Sequence, residues 1–388
     1  MKIVMFAHNF LPKIGGLEIV TYESSKRLVE MGHNVKIITS TYGNCSIKEV
    51  IENIEIIRIP KLNFMEKFGV PYPIFSPIIL KEARESIKWA DIVHAHGHPY
   101  ISSLVASKYS KKYNKPLVLS IHNSFIDYKN FFLNFLENLN DKFISSQTLK
   151  NTDIVISTCK YFDDYIKKIN PKIESRIIYN GIDTQNFLGV NENEKEQIRE
   201  KLNIPQNTFI CLTVGRITYK KGIDNIVEIA KKIKEKDIIF YIVGNGPDYD
   251  LIKSLINKFN LEKKIIMMGY AEIYLLKLLY QVSDIFILPS RGGESLTLVI
   301  AEALSSNLPV IATKSGGVSE IIIEDKNGYL VEIDDINSII EKIYLLYNDK
   351  DLREKLGING RKYVEDNYSW EKYMNSTLSI YEKLIQIK

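Results

Sequence analysis

Pro289-Ser290-Arg291-Gly292-Gly293-Glu294-Ser295-Leu296-Thr297-Leu298-Val299-Ile300-Ala301-Glu302-Ala303 reads as the end of a buried strand, a Gly-Gly turn and an apolar helix opening near Ser295. Glu294 stands at the mouth of that helix. Glu302 follows about 12 Å along the axis at 1.5 Å per residue. An acidic side chain among Leu298, Val299, Ile300, Ala301, Ala303 and Leu304 is costly unless something bonds it. Two carboxylates beside free helix-start N–H groups suit a ligand that carries hydroxyls and phosphate together.

The strand–turn–helix order repeats outward from this stretch. Near-continuous apolar runs, the mark of parallel strands buried on both faces, lie at residues 2–6, 35–39, 54–59, 91–96, 116–122, 153–158 and 176–179. They resume at 209–214, 238–243, 264–268, 285–289, 309–313 and 328–331. Amphipathic stretches separate them, such as 19–31, closed by Gly32, and 100–113, closed by Asn114-Lys115-Pro116. The charged stretch Asn191 to Glu196 breaks the alternation, and residues 351–388 read as helix. The pattern predicts an α/β protein of two Rossmann-like domains in tandem, with a cleft between them. Their expected bounds are residues 1–181, a linker over 182–207, a second domain over 208–365, and a helix over 366–388 that packs back on the first domain. In open α/β sheets ligands sit beyond the carboxyl ends of the strands, so the strand-to-helix loops are where chemistry belongs.

Three more loops are informative. Gly15-Gly16-Leu17-Glu18 precedes the first helix, where paired glycines let backbone N–H groups approach an anion. The dinucleotide fingerprint G-x-G-x-x-G is absent there, which argues against an NAD enzyme. Val214-Gly215-Arg216 and Lys220-Lys221-Gly222 place two cations near one helix start, a diphosphate clamp in physical terms. Gly244-Asn245-Gly246-Pro247 closes a strand, and the acidic pair in Asp248-Tyr249-Asp250 is explained by the helix dipole without a metal.

Composition narrows the class. The 388 residues are 45% hydrophobic and 25% charged, as in soluble globular proteins. Three scattered cysteines, Cys45, Cys159 and Cys211, lack zinc or disulfide spacing. No apolar run is long enough to span a bilayer, and Met1 to Ala7 is too short for a signal peptide. A cytoplasmic protein follows as the expectation. A net charge of +4 is too small to argue for nucleic acid. Residues 1–190 carry 24 Lys and Arg against 18 Asp and Glu, a mild excess that fits an anionic partner or membrane surface.

Together these elements resemble the retaining glycosyltransferases of the GT-B fold, family 4. The match runs nearly end to end, through Gly15-Gly16-Leu17-Glu18, Asp91-Ile92-Val93-His94-Ala95-His96, Asn180-Gly181-Ile182-Asp183, Val214-Gly215-Arg216, Lys221-Gly222, Glu294 to Glu302, and Gly316-Gly317-Val318-Ser319-Glu320. The resemblance implies transfer of a hexosyl unit from a nucleotide diphosphate sugar to a glycan or lipid-linked acceptor, with no cofactor and no metal. It assigns Arg216 and Lys221 to the diphosphate, Glu294 to donor-sugar hydroxyls and Glu302 to the ribose. It also assigns backbone contacts to Leu296, Thr297, Leu298 and Val299, the glycine loop at Gly16 to the diphosphate and acceptor, and the region near the base to Gly269 and Tyr270. His122 would face the donor sugar. Many members have Gly-Phe-Gly where this chain has Ser295-Leu296-Thr297, which alters the shape of the sugar pocket. Two rival functions share the architecture: a nucleotide-sugar 2-epimerase, and a binding module without catalysis.

Two clusters remain. His94, His96 and His98 alternate, as a strand would aim them at one face like a metal site, whereas the resemblance places them at a strand end. Tyr128, Phe132, Phe135, Leu136, Leu139 and Phe143 recur at helical spacing. The plain reading is a core helix. The sharper one, helped by Lys129, Lys142 and Lys150, is a surface facing a membrane-bound acceptor. Pro71-Tyr72-Pro73 reads as a rigid loop near the acceptor.

Overall fold

The computed structural model describes residues 1–13, 15–62, 73–123, 131–295 and 298–388, apart from the side chains at positions 131–133 and 136. It divides into two compact units. One is Met1–Gly181 with Glu371–Lys388, the other Ile182–Trp370.

In the first unit an eight-stranded sheet runs from edge to edge as Ser175–Ile177, Ile154–Ser157, Leu117–Ile121, Ile92–His96, Lys2–Ala7, Asn34–Ser40, Ile54–Ile59 and Lys48–Ile51. All neighbours are parallel except the last pair. Lys2–Ala7 lies at the centre, fully buried after its first residue, because helices cover both faces. The edge strand Lys48–Ile51 escaped the sequence reading. Its residues alternate between partial and full exposure, so it carries no apolar run. It folds back through Glu52 and Asn53, both at positive φ, as a two-residue hairpin turn requires.

In the second unit six strands, all parallel, run Ile265–Gly269, Ile238–Val243, Phe209–Val214, Ile285–Leu288, Val310–Thr313 and Gly328–Val331. Phe209–Val214 is buried along its whole length. Ile238, Phe240, Ile242, Ile285 and Ile287 from these strands pack with Ile223, Ile226, Ile229 and Ile343 of the flanking helices into one core.

The stretch Asn191 to Glu196 is helical rather than a linker. Asn191 caps the helix Glu192–Lys201 by accepting from the Glu194 N–H at 2.9 Å, and Glu194 returns a bond to the Asn191 N–H. Lys195 and Arg199 then tie this helix to Asp284 at 2.7 and 2.9 Å. Lys195 and Arg199 are the anchors, while Glu192, Glu194 and Glu196 face solvent.

The C-terminal residues form two helices, Lys350–Asn367 and Trp370–Ile387. The second buries Tyr373, Met374 and Tyr381. The Tyr381 hydroxyl lies 2.5 Å from His94 Nδ1, and Lys388 pairs with Asp153 at 2.8 Å.

Candidate active site

Two loops leave the carboxyl ends of adjacent strands in the second unit. From Phe209–Val214 the chain passes through Gly215 and Arg216 to a 3-10 turn, Tyr219–Lys221, and then to the helix Ile223–Lys232. From Ile285–Leu288 it passes through Pro289 to Glu294. The loops are bound to one another. The Arg291 N–H donates to the Lys220 carbonyl at 2.8 Å. The Arg291 guanidinium bonds both Asp224 oxygens at 2.7 and 2.8 Å, Asp334 Oδ1 at 2.7 Å, Asn225 Oδ1 at 2.9 Å and the Tyr219 carbonyl at 3.0 Å. It also lies 4.1 Å from the centre of the Tyr219 ring. Between the loops, Gly222 at φ +66° approaches so closely that a Cβ would fall 2.0 Å from the Pro289 oxygen.

This scaffold sets Lys221 Nζ 2.8 Å from Glu294 Oε1 and 2.9 Å from Oε2. Burial alone would push the Glu294 carboxyl upward. The Lys221 charge and hydrogen bond outweigh it and hold the group below its ordinary value, so Glu294 is ionised. Gly316, at φ +60°, passes over the Glu294 backbone, where a Cβ would meet the Glu294 carbonyl oxygen at 2.1 Å, and the Gly317 N–H donates to that carbonyl at 2.9 Å.

Arg216 is exposed and has no ion-pair partner among the described residues. A Cβ on its neighbour Gly215 would lie 4.0 Å from Lys221 Cε. The strand end therefore presents one cation engaged by Glu294 and one open to solvent.

Glu302 lies on the helix described as Leu298–Ser305. Leu296 and Thr297 lie outside the described residues; Leu298 and Val299 form the first turn, partly buried. Glu302 is half-buried, and its partner is Tyr280, whose hydroxyl donates to Oε2 at 2.9 Å. Burial raises the Glu302 carboxyl to about 7, and the Tyr280 bond offsets only part of that. Gly269, at φ +65°, ends the strand Ile265–Gly269 and accepts from the Gly244 N–H at 2.7 Å, which leaves Tyr270 66% exposed.

In the first unit His122 follows the strand Leu117–Ile121, and its Nε2 lies 3.1 Å from His96 Nδ1. His96 stacks on His94 at 4.3 Å between ring centres, and His94 Nε2 lies 2.7 Å from the Ser120 hydroxyl. His8, on the neighbouring strand end, stacks on Tyr100 at 3.7 Å. Burial lowers His8 and His94 to about 3 and His122 to about 4, and it lowers His96 as well, so the row is neutral. His98 departs from it and faces Asp141 at 3.6 Å. Among the described residues no three such groups are placed to hold a metal ion. Gly16 opens the helix Gly16–Glu30 and is exposed, with no heavy atom within 4 Å of a Cβ built on it.

Sequence reasoning missed Arg291 and Tyr280 as members of these clusters, and the contact of His96 with His122. Arg291 stood inside the stretch quoted first, but its acceptors come from residues 219, 224, 225 and 334, far off in the chain. The aromatic stripe is interrupted by a π-helical turn, Asp141–Ser145, after the helix Phe131–Asn140. Phe135 and Phe143 are 51% and 65% exposed, so the stripe is not a core face throughout. Tyr72 and Tyr128 lie outside the described residues.

Comparison with known proteins follows the same division. A family model of Glycosyltransferase Family 4 matches residues 14–186, and one of Glycosyl transferases group 1 matches residues 194–363. An uncharacterized glycosyltransferase of Methanocaldococcus jannaschii is 28% identical over 385 residues, covering 99% of each chain. N-acetyl-alpha-D-glucosaminyl L-malate synthase of Bacillus anthracis is 24% identical over 97% of this chain and 96% of its own. Among solved structures, sucrose-phosphate synthase from Thermosynechococcus elongatus shares the fold with a TM-score of 0.81 at 21% identity over the full length of both chains. HepE from Anabaena in complex with UDP has a TM-score of 0.82 at 16% identity, covering 99% of this chain and 100% of that one.

Proposed function

The chain belongs to the family 4, group 1 glycosyltransferases of GT-B fold, and from that premise we propose that it transfers a hexosyl unit from a UDP- or GDP-sugar with retained anomeric configuration and no metal ion. The acceptor would be a glycan or lipid-linked glycan, in the synthesis of a cell-surface polysaccharide, glycolipid or glycoprotein glycan. The observation that carries the reading is the Lys221–Glu294 pair, set by two locked strand-end loops beside an open Arg216. A UDP complex of a neighbour sharing the fold supports a nucleotide diphosphate donor.

In this reading the donor diphosphate takes up the Lys221 ammonium and the open Arg216, and Glu294 turns to the sugar hydroxyls. As the bond from the sugar to phosphate lengthens, negative charge grows on the diphosphate and both cations meet it. No cofactor is needed for this step, since cationic side chains do the work a metal would do. Glu302 accepts from the ribose. His122 is neutral and lies beside His96, so a sugar hydroxyl would meet it as a donor or acceptor, not as a charge. Exposed Phe135 and Phe143, with the exposed Lys142 beside them, favour an acceptor at an anionic membrane surface.

The test is a thermal-shift panel of UDP, GDP, ADP and their common sugar conjugates with and without EDTA, followed by an acceptor screen with product anomer analysis. A ligand of the folded state raises Tm by mass action. The reading expects one nucleotide series to stabilise the protein irrespective of EDTA. Inversion in the product, or an absolute need for a divalent cation, would count against it.

A further inference from the structure

We propose that Tyr280 is a positioning residue for nucleotide binding: its hydroxyl holds one oxygen of Glu302, so that the other is aimed at the ligand. The inference rests on the reading of this site as a nucleotide-sugar site and adds a residue to it. Tyr280 lies on the helix Ile273–Val282 and is completely buried. Its ring meets Phe187 edge-on at 5.6 Å and tilts over Phe286 at 6.0 Å, so the side chain has one orientation. In that orientation the hydroxyl reaches Glu302 Oε2 at 2.9 Å and stands 3.4 Å from the Val299 carbonyl. Glu302 Oε1 has no hydrogen-bond partner among the described residues and is free for a hydroxyl.

The surroundings make this bond matter. Burial raises Glu302 to about 7, so near neutral pH a large fraction is protonated. The Tyr280 bond favours the ionised form, the one that accepts from two ribose hydroxyls. Burial and the neighbouring carboxylate push the Tyr280 hydroxyl well above its ordinary value, so it remains the donor. The other charged groups around this helix are occupied. Arg361, on the packed helix Lys350–Asn367, bonds the carbonyls of Phe187 and Ser305 and pairs with Glu365. Asp284, at the foot of the adjacent strand, is held by Lys195 and Arg199. Tyr280 is thus the side chain positioned to tune Glu302.

The experiment measures binding of UDP, GDP and inorganic pyrophosphate to the full chain, its Tyr280→Phe variant and its Glu302→Gln variant across about pH 5.5–8.5. Phenylalanine keeps the ring packing and removes only the hydroxyl. For the nucleotide that binds, Tyr280→Phe should lose about tenfold in affinity at pH 7, and its affinity should rise with pH at a higher midpoint than the native chain's. Pyrophosphate affinity should be unchanged, which shows that the loops remain folded. Glu302→Gln should lose this midpoint and keep only the titration of the nucleotide's own phosphate. Native nucleotide affinity and midpoint in Tyr280→Phe, with a clear loss in Glu302→Gln, would overturn the role of Tyr280 and leave the site reading intact. Parallel loss of pyrophosphate and nucleotide in Tyr280→Phe would make it merely structural. Absence of nucleotide binding in all three chains would overturn the site reading and this inference together.

Discussion

Arg291 and Asp224 meet in a two-pronged ion pair, with both nitrogen–oxygen distances below 3 Å, and the pair joins two loops that have no sequence proximity. The planar guanidinium fork matches the carboxylate, and Asp334 and Asn225 take the remaining donors. Arg291 thereby fixes where Lys221 meets Glu294 without itself touching either.

Arg291→Ala should cost about 1 kcal/mol of stability, since Asp224 and Asp334 are partly exposed and water takes up the bonds they lose. Transfer should fall further than the melting temperature implies. Arg291→Lys should recover little, because an ammonium cannot span Asp224, Asn225 and Asp334 together. Thermal melts beside initial transfer rates check both, and native activity in the alanine variant would show that the loops hold without it.

The Lys221–Glu294 pair separates two roles. Glu294→Ala should abolish transfer while nucleotide diphosphate binding persists. Lys221→Ala and Arg216→Ala should each weaken nucleotide diphosphate affinity by about tenfold or more. Calorimetric titration with the free diphosphate and the intact sugar donor distinguishes these cases, and equal losses of both ligands in Glu294→Ala would remove its assignment to the sugar.

Gly222→Ala should be among the most damaging conservative changes in the second unit. It combines a left-handed backbone with a methyl 2.0 Å from the Pro289 oxygen, and either term alone is worth about 1 kcal/mol or more. A soluble, folded variant with native nucleotide affinity would show that the Gly222–Pro289 approach is not required.

The buried imidazoles predict acid sensitivity. His8, His94, His96 and His122 sit below their ordinary value of 6.5 in the fold, so the unfolded chain binds the extra protons. Their contribution is full above pH 6.5 and is lost as pH falls toward 4 and then 3. Glu302 has the opposite sign, because its raised value favours the fold as pH falls from 7 toward 4.5. Melting temperatures in a Glu302→Gln background should therefore decline steadily below about pH 6.5. A flat profile down to pH 4.5 would contradict the neutral cluster.

Much of the fold was readable from local pattern. Strands such as Phe209–Val214 are buried on both faces and must be apolar at every position, which a single sequence displays directly. Lys48–Ile51 faces water along half its length and displays no such run. In the segment from Asn191, the density of charge hid a helix-start signal, Asn191 with Glu194, whose bonds the structure contains. At the candidate site, Glu294, Lys221 and Arg216 stand out by residue type at strand-end loops, and Glu302 as an acid among apolar helix residues. Tyr280 and Arg291 do not, because their partners are set by tertiary packing across 22 and 67 residues of chain.

The final helix has a consequence for which unit is complete in one continuous stretch of chain. The chain leaves the first unit at Gly181 and returns at Glu371, and the ends of the second unit meet, with the Ile182 N–H donating to the Tyr368 carbonyl at 2.8 Å. The second unit is thus an insertion that holds every segment of its own core between residues 182 and 370. Residues 1–181 do not complete theirs without Glu371–Lys388 and the Tyr381 hydroxyl beside His94, so a cut within residues 182–370 would separate two parts of the first unit that only their packing then holds together.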